Sequence, residues 1–402
     1  MVSDAHRGTA LPPVGPRQWW AAAALLVPGA WILLLHERNF LVFVIAVGLG
    51  LALYHGAVGF AGAYRQLFRD RDMTGVAMQM AMIVFASLLF APVLWAGDAF
   101  GQPVAGALAP VGIGVAFGAF IFGIGMQLGG GCGSGTLYAT GGGDARLLLT
   151  LLFFCAGGFW GSLDLDWWER LPMHPPVSLG RDWGFAPALA AQAALLLLLY
   201  LVLRWAGFRV RPGLWRPAGG WRWLLAGPWP LMVAGAALAL LNFATLVTAG
   251  HPWTITWGLT LWGAKTARAL GWDPAGSPFW RDGFPASALA EPVLADVTSV
   301  MDIGIVVGAL AAAVLAGRFR LRLHGGPGPL LAAVLGGLML GYGARLAYGC
   351  NIGALFSGAA STSLHAWLWL AAALPGNWLG CRLRPCFGLD GPPGVRRRVT
   401  GS

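Results

Sequence analysis

Charge is scarce in this chain: Asp, Glu, Lys and Arg make up 10% of its 402 residues, and Lys265 is its one lysine. Soluble domains carry roughly a quarter of their residues as charges, so an ordinary water-facing globule is excluded. Cysteine is also sparse. Cys132, Cys155, Cys350, Cys381 and Cys386 are odd in number and contain no CxxC pair, which speaks against a disulfide framework and a zinc site and for free thiols. The glycine-rich stretch 130–136 lacks the lysine of a phosphate-binding loop. No Ser-His-Asp set, metal cluster or pair of carboxylates falls at a common site, so neither an enzyme nor a resident cofactor is expected.

What the chain has instead is apolar surface. Hydrophobic residues reach 57%, with 61 glycines and 21 tryptophans, the composition of an all-α polytopic integral membrane protein. Ten runs approach the ~20 residues that cross a hydrocarbon core: 19–35, 40–60, 76–95, 104–128, 147–163, 186–205, 231–247, 299–316, 330–346 and 364–380. The first is followed at once by another, with no small-residue cleavage pattern, and reads as a retained span. The formal net charge of +10 is explained by position rather than by nucleic acid. Arg65, Arg69 and Arg71, then Arg204, Arg209, Arg211, Arg216 and Arg222, then Arg318, Arg320 and Arg322, and finally Arg382, Arg384 and Arg396, Arg397 and Arg398 fall in alternate connections. By the positive-inside rule these are cytoplasmic. The connections 164–182 and 273–296 hold most loop carboxylates and read as outer, which places both termini inside.

Two glycine-embedded cysteines each follow a membrane-length run: Gly131-Cys132-Gly133-Ser134-Gly135 and Gly349-Cys350-Asn351-Ile352-Gly353. Glycine lets the backbone leave a helix, and lipid tolerates such a break only where it is buried in protein or lines a cavity. The stretches 54–65 and 251–265 also follow apolar runs at corresponding places. The order of spans and half-helices therefore repeats with opposite orientation, an inverted-repeat transporter plan with its pathway at the repeat interface. The expected divisions are an N-terminal cytoplasmic tail 1–18, a first repeat 19–205, a basic cytoplasmic linker 206–228, a second repeat that begins with the preceding span at about 186 and runs to 382, and a C-terminal tail 383–402.

The loops suit a sulfur-bearing anion. Backbone amides around Gly131 and Gly133, with the Ser134 and Thr136 hydroxyls, form an anion-binding helix start. Cys132 adds a soft S–H donor, and Cys350 with Asn351 offers the same from the other half, so two thiols could pass one anion along without redox chemistry. The bland alternative is that each cysteine is a small residue for close helix packing. Lys265 either attracts the anion or neutralises Asp302. Arg345, one turn before the second loop, is a similar candidate with carboxylate pairing as its alternative. His55 and His365 read as neutral imidazoles near span ends, and Trp257, Trp262, Trp367 and Trp369 as interface or packing residues.

Five stretches, 60–65, 131–136, 261–265, 298–302 and 341–353 with its continuation to Gly358, together resemble the YeeE/YedE family of sulfur transporters over roughly residues 40–390. The resemblance implies uptake of thiosulfate across a bacterial inner membrane, with Cys132 and Cys350 at two of the family's functional cysteines. A soluble sulfurtransferase is a candidate cytoplasmic partner, since accumulation of an anion needs consumption inside, ion coupling or a partner protein. Members that take up thiosulfate commonly carry a further cysteine where this chain has Ala57-Val58-Gly59-Phe60. Transport of a selenium compound or another sulfur anion, a membrane carrier with a persulfide on Cys132 or Cys350, and a channel for an unrelated solute are the alternatives.

Overall fold

The computed structural model describes residues 37–211, 214–215, 223–322 and 325–390, with the isolated positions 23, 27, 29 and 30. Apart from those four positions the first expected span, 19–35, lies outside the described residues, as do the tail 1–18, Arg216, Arg222, Arg396, Arg397 and Arg398.

Helices carry the fold because an apolar run in lipid must satisfy its own backbone. In chain order they are α1 (Glu37–Gly56), the short α2 (Phe60–Asp70), α3 (Thr74–Ala96), α4 (Ile113–Gly129), the short α5 (Gly133–Gly141), α6 (Ala145–Glu169), α7 (Phe185–Trp205), α8 (Leu231–Ala249), α9 (Thr256–Ala269), α10 (Val297–Leu315) and α11 (Pro327–Leu346), then a π-helical segment (Asn351–Ser357) and α12 (Leu364–Leu383). Among the described residues eight helices are long and apolar enough to cross a membrane, α1 being counted with α2 and α4 with α5. The helix α12 forms where a further span is expected, 20 residues long, but His365, Pro375 and Asn377 leave it outside those eight. The run 104–128 is helical only from Ile113, because Pro110 disfavours helical backbone at the residue before it. The stretch ahead of α4 instead pairs, Val111 with His174.

Helix contacts come in matched pairs. α6 packs along α11 and α4 along α12; α1 packs along α10 and α3 along α8; α9 lies on α6 and α2 on α12; α4 crosses α11, and α1 meets α8. Small residues make these approaches close. At the α4–α11 crossing, a Cβ on Gly118 would stand 2.7 Å from the Gly343 carbonyl oxygen, and Gly343 faces the Gly118 carbonyl in return. By contrast α7 has only 17% of its apolar window buried and presents leucines outward.

The connections sort onto two opposite faces. Backbone bridges Asp72 to Arg209 and Asp144 to Arg322, with the Arg69–Asp390 ion pair at 2.8 Å, gather the arginine-rich loops at one end. Bridges Val111 to His174 and Ser178 to Ser363 gather the others at the opposite end. There the segment 273–296 folds as a cap, with Trp280 fully buried and its Nε1 donating to Ser162 Oγ at 2.8 Å.

Candidate functional site

Four short helical segments begin at the centre of the molecule, and the space between the long helices is closed by their first turns. α5 starts after Gly130, whose φ of +94° only glycine adopts readily. The π-helical segment starts after Gly349, φ +150°, where a Cβ would also stand 2.6 Å from the Ala354 amide nitrogen. At these two positions the chain leaves a long helix and begins a cysteine-capped short one.

The N-cap of each is a cysteine. Cys132 Sγ accepts the Gly135 amide at 3.4 Å, and Cys350 Sγ accepts the Ile352 amide at 3.4 Å. Oxygen side chains usually fill this position; a thiol is a weaker acceptor and leaves more of the first-turn N–H capacity unspent. The starts of α2, at Gly59, and of α9, at Ile255, have no side-chain cap at all. Both thiols are buried, at 1% and 0% exposure.

The two GC loops touch. A Cβ on Gly133 would stand 3.2 Å from Cys350 Sγ and 3.3 Å from Ile255 Cγ2, while one on Gly353 would meet Thr254 at 3.8 Å. A Cβ on Gly59 would meet the Tyr138 hydroxyl at 3.3 Å, which brings the start of α2 to the same place. The connector before α9 is held there by Asn242, whose Oδ1 accepts the Trp253 amide at 2.8 Å and whose amide donates to Ser357 Oγ at 3.1 Å. Asn351 is fully buried next to the Tyr64 side chain, with neither amide atom in a well-formed hydrogen bond among the described residues. An unpartnered buried amide costs about 1–3 kcal/mol, a cost that a polar guest would remove.

From Cys132 a cavity of about 560 Å³ runs to the arginine-rich face, lined by Gly59, Gly131, Cys132, Tyr138, Arg65 and Arg146 among others. Arg146 Nη1 donates to the Leu128 carbonyl at 3.4 Å and its guanidinium packs over Gly130. Neither Arg65 nor Arg146 makes an ion pair among the described residues. Cys350 is not among the residues that line this cavity.

Of the residues expected at the site, Gly131, Cys132, Gly133, Ser134, Cys350 and Asn351 come together. Ser134 Oγ lies 3.3 Å from Cys132 Sγ. The Thr136 hydroxyl donates to backbone carbonyls at 2.7 and 3.1 Å, so it braces the first turn of α5. Lys265 stands apart, its Nζ donating to Leu289 O at 2.9 Å and Glu291 O at 2.5 Å in the 273–296 cap rather than meeting Asp302. Arg345 lies under the 273–296 cap too, its guanidinium 5.0 Å from the Phe279 ring, with no carboxylate paired to it among the described residues. Trp369, expected as packing, donates to the Gly349 carbonyl at 3.3 Å and so supports the second loop. Arg65, Arg146 and Tyr138 were not singled out from the sequence. The usable signal was Tyr138 four residues after Ser134, on the face of α5 that carries the loop. All five cysteines are unpaired thiols.

Residues 55–379 match the family described as "Sulphur transport". The chain is 27% identical over 342 residues to "Thiosulfate transporter TsuA" of Spirochaeta thermophila, covering 82% of this chain and 94% of that protein. It is 32% identical over 169 residues to "Probable transporter YedE" of Escherichia coli, 41% of this chain and 40% of that one. The Salmonella typhimurium protein of the same name is 32% identical over 173 residues. The family and these relatives are described as transporters, in accord with the expectation of transport without chemistry.

Proposed function

Because the chain belongs to the sulphur transport family, we propose that it takes up a small sulfur-containing anion, thiosulfate first, and relays it between Cys350 and Cys132 by hydrogen bonds. The observation that carries the reading is the meeting of two thiol-capped helix starts at Gly133, beside an unpartnered Asn351 amide. A terminal sulfur is a soft acceptor suited to an S–H donor, and the oxygens of the same anion suit first-turn N–H groups and the amide. The anion reaches Cys350 from the outer side past Arg345, crosses the constriction to Cys132 with Gly131, Gly133 and Ser134 around it, and leaves through the cavity lined by Arg65 and Arg146.

The matched helix contacts support an inverted repeat. Exchanging α1 with α8, α2 with α9, α3 with α10, α4 with α11, α5 with the π-helical segment and α6 with α12 turns each principal contact into another. With the segment 19–35 opposite α7, this reading has ten spans in two halves, 19–205 and about 186–382. The linker 206–228, both tails and the arginine-rich face then lie on the cytoplasmic side of a bacterial inner membrane. A dianion moving inward opposes an inside-negative potential by about 2.3 kcal/mol per charge per 100 mV. Accumulation therefore needs consumption inside, by a partner such as a soluble sulfurtransferase, or coupling to an ion.

The test is uptake of radiolabelled thiosulfate by cells without other sulfur importers, with the native chain, Cys132→Ala and Cys350→Ala at matched membrane levels. Native cells accumulate label and both variants lose accumulation. Unchanged uptake by either variant removes its thiol from the relay, and no uptake by the native chain overturns thiosulfate as substrate.

A further inference from the structure

Asp302 lies in the second turn of α10 with 0% exposure, and neither carboxyl oxygen has a hydrogen-bond partner among the described residues. It faces the first turn of α9, where a Cβ on Gly258 would stand 2.7 Å from its Oδ2, so a side chain at 258 would displace it. A carboxylate buried in a membrane span is rare and usually functional. The cation that could neutralise it is engaged elsewhere, because Lys265 donates to Leu289 and Glu291 carbonyls.

The other ionisable groups around it do not substitute. On its own helix, Asp296 caps the first turn and accepts Trp257 Nε1 at 2.9 Å. On α9, Arg268 Nη1 donates to Leu289 O at 3.3 Å. On α1, Tyr54 packs at Gly142 and His55 against Trp229, and Glu37 and Arg38 stand at the start of that helix. On α5 the titratable group is Tyr138. On α6 it is Cys155, whose backbone carbonyl packs against Gly263 of α9, and past the start of α9 lies Cys350, against Gly133. A metal ion is a poor candidate, since no group of three or more His, Cys, Asp or Glu that could hold one occurs among the described residues.

We propose that Asp302 is a proton-carrying site that couples anion uptake to proton influx. Asp302 packs against the first turn of α9, whose start at Ile255 meets Gly133 next to Cys350; its carboxyl is neutral only when protonated, and a negative Asp302 repels an anion arriving there. Proton and anion therefore occupy the outer half of the pathway together: the carboxylate takes up a proton from the outer side, and gives it to the cytoplasm after the anion has passed to Cys132. The inference rests on the proposed anion pathway and supplies the coupling left open there.

The test uses the purified full chain in liposomes loaded with a pH-sensitive dye, at zero membrane potential set by potassium and valinomycin. Wild-type protein acidifies the lumen as labelled thiosulfate enters. Accumulation rises about tenfold per unit of inward pH gradient if one proton accompanies each anion. Asp302→Asn, with Asp302→Ser carried alongside in case one variant fails to fold, still exchanges labelled for unlabelled thiosulfate but loses acidification and gradient-driven accumulation. Thiosulfate influx that leaves luminal pH unchanged and ignores the gradient overturns the proposal, as does a variant that acidifies like wild type. A wild type that carries no thiosulfate overturns the underlying pathway, a result distinct from thiosulfate moving without protons.

Discussion

At the residue scale the narrowest point is Gly133, whose missing side chain is all that separates the two thiol loops. Gly133→Ala places a methyl 3.2 Å from Cys350 Sγ and 3.3 Å from Ile255, closer than ordinary contact. Uptake should fall several-fold at unchanged membrane level, whereas Gly135→Ala, whose Cβ meets Cys132 Sγ at an ordinary 3.6 Å, should stay near native. Equal rates for the two variants would remove the constriction from the pathway. Arg146 bears the charge nearest the first loop. Arg146→Gln should raise the thiosulfate concentration for half-maximal uptake by about tenfold, equivalent to about 1.4 kcal/mol; an unchanged concentration dependence would leave it a purely structural partner of Leu128. Both cysteines and Asn351 were legible in the sequence because polar residues among membrane glycines stand out. Arg146 was not, since an arginine beside a cytoplasmic loop looks like any other member of the positive-inside set.

At the element scale, the half-helices matter for the direction of their starts. A helix N-terminus carries about half a positive charge, and four of them face one another without a conventional oxygen cap. Such a cluster is unfavourable in lipid unless something negative or strongly accepting sits among them. The outer cap is the second element with a role. Lys265 ties α9 to the backbone at Leu289 and Glu291, so Lys265→Met should speed proteolysis within 273–296 and leave the affinity for thiosulfate largely intact. If affinity collapses while the cap stays protease-resistant, Lys265 acts on the anion itself. Half-helices were visible in the sequence as glycine clusters after apolar runs, but the tether was not, because it ends on carbonyl groups that every residue possesses.

At the scale of the whole molecule, the two thiols differ in their relation to the cavity. Cys132 lines the cavity toward the arginine-rich face and Cys350 does not. A membrane-impermeant thiol reagent applied to inside-out vesicles should therefore modify Cys132 much faster than Cys350, scored in single-cysteine variants. The reverse order would place the arginine-rich face outside. The α4–α11 crossing holds the two sets of helices together through Gly118 and Gly343. Gly343→Leu overpacks it, at a cost typically of about 1–3 kcal/mol, and should lower the thermal unfolding midpoint in detergent. A midpoint unchanged from native would mean that the crossing is loose.

The sequence by itself determined the membrane-spanning all-α character, the two GC loops, and the alternation of basic and acidic connections. These follow from composition and from spacing along one strand of chain, where hydrophobic length and charge act locally. Only the tertiary structure decided that the loops touch at Gly133, that Lys265 serves the 273–296 cap, that Asp302 has no cation paired to it among the described residues, and that Arg65 and Arg146 line the same cavity as Cys132. Those are distances between segments up to some 250 residues apart, such as Gln127 and Asn377 at 2.8 Å. They are set by how glycine-faced helices pack, which no pattern read along the chain encodes.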